Sequence, residues 1–373
     1  SFMKICIVLP SLENGGAERL HFNLIKDWQE NGHDVTLISL LKADEKEDIS
    51  SLVHTKCSLI SFEKERLKYS IPMLIKHFLF NKYDVILAAI WPVTVITIIA
   101  SILSFQNSKI FISEHTILSI SRDRELNIPE YVIKISSSIF YRFAKGIIAV
   151  SKGVRDDISK LSKIDKNKIK VIYNPAAIGI KKPPENLIND YKEKLWNGRQ
   201  SLKILAVGTL KVQKGFDVLI DAIDMLEETY KHRVQLTILG EGPERKNLTD
   251  QIIRLKLEKV IFMPGFQIDP YPWFLSANLF VLSSRWEGFG NVIVEALEAG
   301  LPVVSTNCLS GPSEILRDGE FGELVSIEDP QDLSDAIARS LAREHDKQGL
   351  ILRAKDFSIP KISMQYLDFF KAE

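Results

Sequence analysis

Glu287 and Glu295 flank a segment dense in glycine. The stretch Glu287-Gly288-Phe289-Gly290-Asn291 leads into an apolar run that ends at Gly300. This pattern predicts a loop, then a helix starting near Asn291, with Gly300 closing it as glycine commonly does. A glycine loop lets backbone N–H groups approach a ligand. A helix start adds unpaired N–H groups and the positive end of the helix dipole. Together they make an anion site with a carboxylate on either side. A diphosphate joined to a sugar at one end and a ribose at the other suits it, because amides hold phosphate and carboxylates accept hydrogen bonds from hydroxyls. The competing reading is an amphipathic helix with surface glutamates, which is the reading for Glu298.

Other candidate groups stand just beyond strand-like apolar runs. Gly15-Gly16 follow residues 3–9, His115 follows 110–112, Lys214 follows 203–208, and Glu287 itself follows 279–282. In open parallel sheets ligands bind at the carboxyl ends of the strands. The glycines permit close backbone approach, and Lys214 offers a full positive charge to a leaving diphosphate. The competing readings are a plain turn for Gly15-Gly16, a packed core side chain for His115 and a solvated loop residue for Lys214. No Ser-His-Asp or Cys-His constellation appears, and no Asp-x-Asp that would hold a cation on a diphosphate. The expectation is a metal-free phosphate site with no enzyme nucleophile and no cofactor. A dinucleotide oxidoreductase is disfavoured, because no Gly-x-Gly-x-x-Gly follows the first apolar run.

The elements that must position these groups alternate along the chain. Residues 3–9, 35–40, 85–90, 110–112, 146–150, 171–173, 203–208, 234–239, 260–263, 279–282 and 302–305 read as strands, with helical patterns between them. Near-continuous Val/Ile/Leu strands separated by helices indicate parallel sheets covered on both faces. These runs are too many for one compact sheet. A break after Asn174-Pro175, reinforced by Pro183-Pro184, gives domains 1–175 and 176–357, followed by a helix at 358–373. The fold class is α/β, with two nucleotide-binding-type halves.

Taken in order, these segments resemble glycosyltransferase family 4. The resemblance spans nearly the whole chain. It rests on Asn14-Gly15-Gly16-Ala17-Glu18-Arg19, Ser113-Glu114-His115-Thr116, Val207 to Gly215, Leu239-Gly240-Glu241-Gly242-Pro243, the paired-glutamate segment, and Leu309-Ser310-Gly311-Pro312-Ser313-Glu314. It implies the GT-B fold: two Rossmann-like domains with parallel sheets facing a central cleft, the first on the acceptor side, the second binding the nucleotide sugar, and the last helix crossing back to the first. It implies a retaining transferase that moves a hexose or N-acetylhexosamine from a nucleoside-diphosphate sugar, with UDP expected, to a glycan or polyprenyl-diphosphate-linked acceptor. The route implied is front-face and metal-independent. By resemblance, Glu295 binds the ribose, and Glu287 contacts the transferred sugar with the N–H groups of Phe289 and Gly290. His115 lies near the reacting face of the sugar, and His115, Lys214 and Glu287 form the catalytic set. Gly15, Gly16, Thr209, Arg285, Gly288 and Asn291 complete the donor-binding set.

One position departs from the family. Thr209 stands where many members carry Arg, so Lys214 suffices, or Arg285 or Lys211 compensates, or the phosphate is held less strongly; Arg285 is the preferred candidate. The alternative function is a non-catalytic nucleotide-sugar-binding subunit that supports a partner transferase.

Composition bounds the partners. Lys+Arg and Asp+Glu are equal at 48 each, which argues against nucleic acid, but residues 1–175 hold 24 basic against 19 acidic, leaving 24 against 29 in the rest. Basic side chains around 71–80 and 131–143, including Arg122-Asp123-Arg124, suggest an anionic membrane surface as a peripheral partner of the first domain. The uncharged run 85–108 is long enough to span a bilayer, but Pro92 interrupts it, and buried strand, loop and helix is the favoured reading. Cys6, Cys57 and Cys308 show no metal or redox spacing, and no signal-peptide pattern precedes the first strand. The expected setting is cytoplasmic.

Overall fold

The computed structural model describes residues 1–13, 15–45, 48–121, 127–196 and 201–373. Asn14 and the Arg122-Asp123-Arg124 cluster lie outside the described residues. The chain divides into two units, Ser1–Ile178 together with Ile359–Glu373, and Gly179–Ser358.

The first unit is built on a seven-stranded parallel sheet. Its strands are β1 (Lys4–Leu9), β2 (Asp34–Leu41), β3 (Ser58–Lys64), β4 (Val85–Ala89), β5 (Lys109–Glu114), β6 (Gly146–Ala149) and β7 (Ile169–Val171), in the order β3-β2-β1-β4-β5-β6-β7. Strands β1 and β4 lie at the centre, and their continuous apolar runs are buried because helices cover both faces. Ile5, Ile7, Leu9, Leu37 and Leu87 share one core with Trp28. Tyr366 and Phe370 of the last helix, Ile359–Lys371, set their rings 6.0 and 5.6 Å from Trp28. The uncharged run resolves into β4, a turn at Trp91-Pro92, and a mostly buried helix Val93–Leu103. Among the described residues no helix is long and apolar enough to cross a membrane.

The second unit repeats the plan with six strands. They are β8 (Leu202–Val207), β9 (Val234–Leu239), β10 (Ile261–Gly265), β11 (Leu279–Leu282), β12 (Val303–Thr306) and β13 (Glu323–Val325), ordered β10-β9-β8-β11-β12-β13. In each sheet the winding reverses once, between β1 and β4 and between β8 and β11. Loops leaving the carboxyl ends of those neighbours diverge and leave a crevice for a ligand. The sequence reading did not contain β3 and β13. Both are edge strands, β3 with exposed and β13 with half-buried positions, so they lack the apolar run that marks a strand buried on two faces. The strand expected at 171–173 lies instead at Ile169–Val171.

Candidate functional site

In the second unit, Lys214 and Glu287 meet at the switch point. Lys214 ends a one-turn helix, Val212–Lys214, in the loop after β8, and Glu287 lies in the loop after β11. Lys214 Nζ donates to Glu287 Oε1 at 2.7 Å, and Ser284 Oγ donates to the same oxygen at 2.7 Å. The Glu287 side chain is 8% exposed and that of Lys214 20%, so the pair is shielded from water yet open enough to meet a ligand. Gly208 lies under the lysine stem, where a Cβ would come within 3.3 Å of Lys214 Cδ.

The Glu287 loop is pinned from below. Glu287 N donates to Leu309 O and Ser310 N returns to Glu287 O, each at 2.7 Å. Gly290 then turns with φ 101°, a left-handed conformation that favours glycine, and the helix Asn291–Glu298 starts behind it. Gly311 allows the neighbouring loop to press against Phe289, whose carbonyl oxygen would lie 1.9 Å from an added Cβ. Phe289 is itself buried and its ring packs 5.7 Å from Phe357, so this side chain anchors the loop. Glu295 is half-buried in the second turn of the helix, and Gly300, at φ 72°, ends the run. The arrangement brings a cation from the loop after β8 against the carboxylate of the loop after β11, ahead of a helix start.

Thr209 is exposed at the end of β8. Arg285, the preferred substitute for the missing arginine, is engaged elsewhere. Its Nη1 and Nη2 donate to the two Asp217 carboxylate oxygens at 2.9 and 2.8 Å, Nη1 also to Val212 O at 2.6 Å, and Nε to Glu328 at 2.9 Å. Burial pushes the Asp217 carboxyl up, but the Arg285 hydrogen bonds and charge outweigh it and hold the group below its usual range. Arg285 rises in turn, chiefly through its bonds to Asp217. A cavity of about 230 Å³ lies beside this network, lined by Lys211, Asp217, Glu244, Gln251 and Arg285; neither Lys214 nor Glu287 lines it.

In the first unit, His115 follows β5 and is buried. Its Nε2 lies 2.9 Å from Ser113 Oγ, and its ring meets the edge of His21 with centroids 5.4 Å apart. His21 stands on the helix Gly16–Glu30, which begins directly after Gly15. Its Nδ1 lies 2.6 Å from Ala17 O; a carbonyl only accepts, so Nδ1 carries the proton and Nε2 is an acceptor. Burial pushes His21 down to about 4, and burial, then the charge of His21, drives His115 well below its ordinary value. Both rings are therefore neutral near pH 7. Among the described residues, His21 Nε2 and His115 Nδ1 make no hydrogen bond within the protein.

Glu114, the residue before His115, is fully buried. Its Oε1 accepts from Trp91 N and Tyr141 Oη, each at 2.9 Å, and burial pushes the carboxyl up to about 8. The sequence reading singled out His115 but assigned no role to His21 or Glu114. The available signal for His21 was a histidine on the buried stripe of the helix, beside Leu20, Leu24, Ile25 and Trp28.

Two Rossmann-like units, each ordered about a central reversal, with a cation and a paired-glutamate loop–helix at one switch point, define the GT-B class of fold. Residues 14–177 match Glycosyltransferase Family 4 and residues 188–357 match Glycosyl transferases group 1. The chain belongs to this glycosyltransferase family. It is similar to an uncharacterized glycosyltransferase of Methanocaldococcus jannaschii, 30% identical over 270 residues that cover 63% of this chain. It is also similar to the N-acetylgalactosamine-N,N'-diacetylbacillosaminyl-diphospho-undecaprenol 4-alpha-N-acetylgalactosaminyltransferase of Campylobacter jejuni, 31% identical over 249 residues and 65% of this chain. The aligned stretches span 65% and 64% of those relatives' own lengths, under two thirds of each. In fold it matches HepE of Anabaena, solved in complex with UDP, with a TM-score of 0.82 at 22% identity over 98% of this chain and 99% of that one.

Proposed function

We propose that this chain transfers a hexose or N-acetylhexosamine from a UDP-sugar to a glycan or polyprenyl-diphosphate-linked acceptor, with retention of configuration and without a metal ion. The observation that carries the reading is the Lys214–Glu287 contact of 2.7 Å at the switch point, beside the start of the helix Asn291–Glu298. In the proposed reaction the bond from the anomeric carbon to the diphosphate oxygen breaks and its electron pair leaves with UDP. The acceptor oxygen forms its bond on the same face and gives its proton to the departing phosphate oxygen. Charge grows on the diphosphate, and Lys214 with the N–H groups of the loop and helix start stabilises it. Glu287 takes hydroxyls of the transferred sugar and Glu295 those of the ribose; within the first unit, neutral His115 is a hydrogen-bonding group suited to a sugar hydroxyl. Gly15 and Gly16 leave that unit's backbone open to close approach by a ligand. HepE supports the UDP assignment, and the Campylobacter enzyme, by its name, the lipid-linked acceptor.

The acceptor reading extends to an anionic membrane surface. Tyr131, Ile135, Ile139 and Phe143 are 64%, 55%, 48% and 58% exposed at helical spacing, with exposed Lys134, Arg142 and Lys145 among them. An apolar stripe bordered by cations suits an interface in which rings enter the headgroup layer and lysines meet anionic lipid. Flotation with neutral and anionic vesicles at low and high salt tests this. Binding to anionic vesicles that weakens with salt is expected; absence of binding at every salt concentration would remove the membrane part alone.

The transferase reading is tested by thermal stabilisation and turnover with UDP-glucose, UDP-galactose, UDP-N-acetylglucosamine and UDP-N-acetylgalactosamine. Stabilisation by at least one, with slow release of UDP, is expected. Binding without turnover in the presence of glycan acceptors would favour the non-catalytic subunit, and no binding of UDP or any of the four would overturn the assignment.

A further inference from the structure

The turn that carries Lys214 is fastened to the loop after β11 at every one of its carbonyls. Val212 O accepts from Arg285 Nη1 at 2.6 Å, Gln213 O from the Arg285 backbone N–H at 2.7 Å, and Lys214 O from Ser283 Oγ at 2.8 Å. The Gln213 side chain returns the contact, donating to Trp286 O at 3.1 Å. Gly215 closes the turn at φ 62°, where a Cβ would lie 2.1 Å from Ser283 O. Arg285 is itself fixed from two sides, by both oxygens of Asp217 and by Glu328, and its side chain is 13% exposed.

We infer that Arg285 is a positioning residue that acts on the leaving diphosphate only through Lys214, holding the Val212–Lys214 turn so that the lysine stays in register with Glu287. The inference rests on the proposed function of that site. It reverses the expectation that Arg285 replaces the arginine missing at Thr209 as a second phosphate ligand. A guanidinium whose Nε, both Nη1 hydrogens and one Nη2 hydrogen are engaged within the protein is geared to holding backbone, and planar Arg holds a carboxylate and a carbonyl together as Lys cannot. On this reading Lys214 supplies the positive charge, and its place depends on a network of residues that do not touch the substrate.

The test is a double-mutant cycle of Lys214→Ala and Arg285→Ala, read by UDP affinity in calorimetry and by turnover of UDP-N-acetylgalactosamine and UDP-glucose. Arg285→Ala alone should weaken UDP binding about 10-fold and lower kcat by up to about 10²-fold, as a displaced catalytic group does. In the Lys214→Ala background the same substitution should add nothing, because the group it positions is gone. Arg285→Lys should not restore the loss. Asp217→Asn, which keeps the side-chain shape, should act in the same direction and also lose its effect without Lys214; it carries the test if Arg285→Ala fails to fold. Multiplying losses in the double variant would show direct contact between Arg285 and the phosphate and overturn the inference. So would wild-type UDP affinity and kcat in a folded Arg285→Ala protein. A Lys214→Ala protein that binds UDP as wild type does would instead overturn the phosphate-site reading itself, a result distinct from either outcome for Arg285.

Discussion

Replacing Lys214 by alanine removes the cation that touches Glu287 Oε1 at 2.7 Å and leaves that carboxylate, 8% exposed, with Ser284 as its remaining donor. Two effects follow, and they separate by assay. The lost ion pair lies between the exposed and buried limits, since Lys214 keeps 20% of its side chain in water. Surface pairs contribute about 0–1 kcal/mol, and breaking a fully buried one costs about 3–5, so a loss of about 2 kcal/mol of stability is expected. Functionally, the diphosphate loses a charge-assisted hydrogen bond, about 1.5–3 kcal/mol or roughly 10–100-fold in UDP affinity. The transition state loses more, because negative charge is greatest there, and kcat should fall about 10²-fold or further. Urea denaturation gives the first number, calorimetry with UDP the second, and UDP release under saturating donor the third. A protein that loses stability but keeps its UDP affinity and kcat would show Lys214 to be a structural partner of Glu287 and would refute the reasoning. Thr209→Arg supplies the complementary perturbation, placing a second cation at an exposed position at the end of β8, and partial rescue of Lys214→Ala is the expected result.

Glu295→Ala should weaken UDP binding roughly 10–100-fold, the equivalent of a lost charge-assisted bond pair, while leaving the order of preference among UDP-sugars unchanged; unaltered UDP affinity in calorimetry would contradict its place on the ribose. Turnover should persist in a strong chelator, because Lys214 supplies the positive charge; activity lost to the chelator and restored by magnesium or manganese would refute the phosphate-site reading. Glu114→Gln keeps an acceptor for Trp91 and Tyr141 but removes a carboxyl that burial pushes from 4.5 up to about 8. Over that window the folded state holds a proton that the unfolded state has lost, so Glu114 makes stability fall as pH rises, by up to about 1.4 kcal/mol per unit. The depressed His21 and His115 oppose it only below about 6.5, so urea midpoints between pH 6.5 and 8 should fall more steeply in the wild type than in the variant, and equal slopes would refute the assignment.

What the sequence disclosed depended on how local the physics was. Central strands such as β1, β4 and β9 announce themselves, because burial on both faces demands an unbroken apolar run. The edges β3 and β13 do not, since one side of each meets water and no such demand applies. Lys214 and Glu287 were legible as separate groups just past strand ends. Their contact was not, because it depends on two loops 73 residues apart meeting at the reversal of the sheet. The arginine showed the limit most clearly. The arginine missing at Thr209 suggested Arg285 as a phosphate ligand, whereas its orientation is set by Asp217 and Glu328, 68 and 43 residues away. His21 was hidden for a different reason: a histidine on the apolar stripe of an amphipathic helix has the pattern of a core residue, and only its neighbour His115 marks it out.

The two units differ in electrostatic character, and the difference fits the chemistry proposed for each. The second keeps its functional groups paired in opposite charge, Lys214 with Glu287 and Arg285 with Asp217 and Glu328, so that positive charge is held in place where a diphosphate would leave. The first removes charge. Burial keeps His21 and His115 deprotonated and Glu114 protonated near pH 7, while Ser113, Tyr141 and Thr94 supply neutral hydrogen-bonding partners around them. Both imidazoles are held neutral, and His21 Nε2, fixed as an acceptor by its bond to Ala17, adds no proton of its own. In each unit the hydrogen-bonding partners are fixed by the fold before any ligand arrives, so the reorganisation that water would require there is already made.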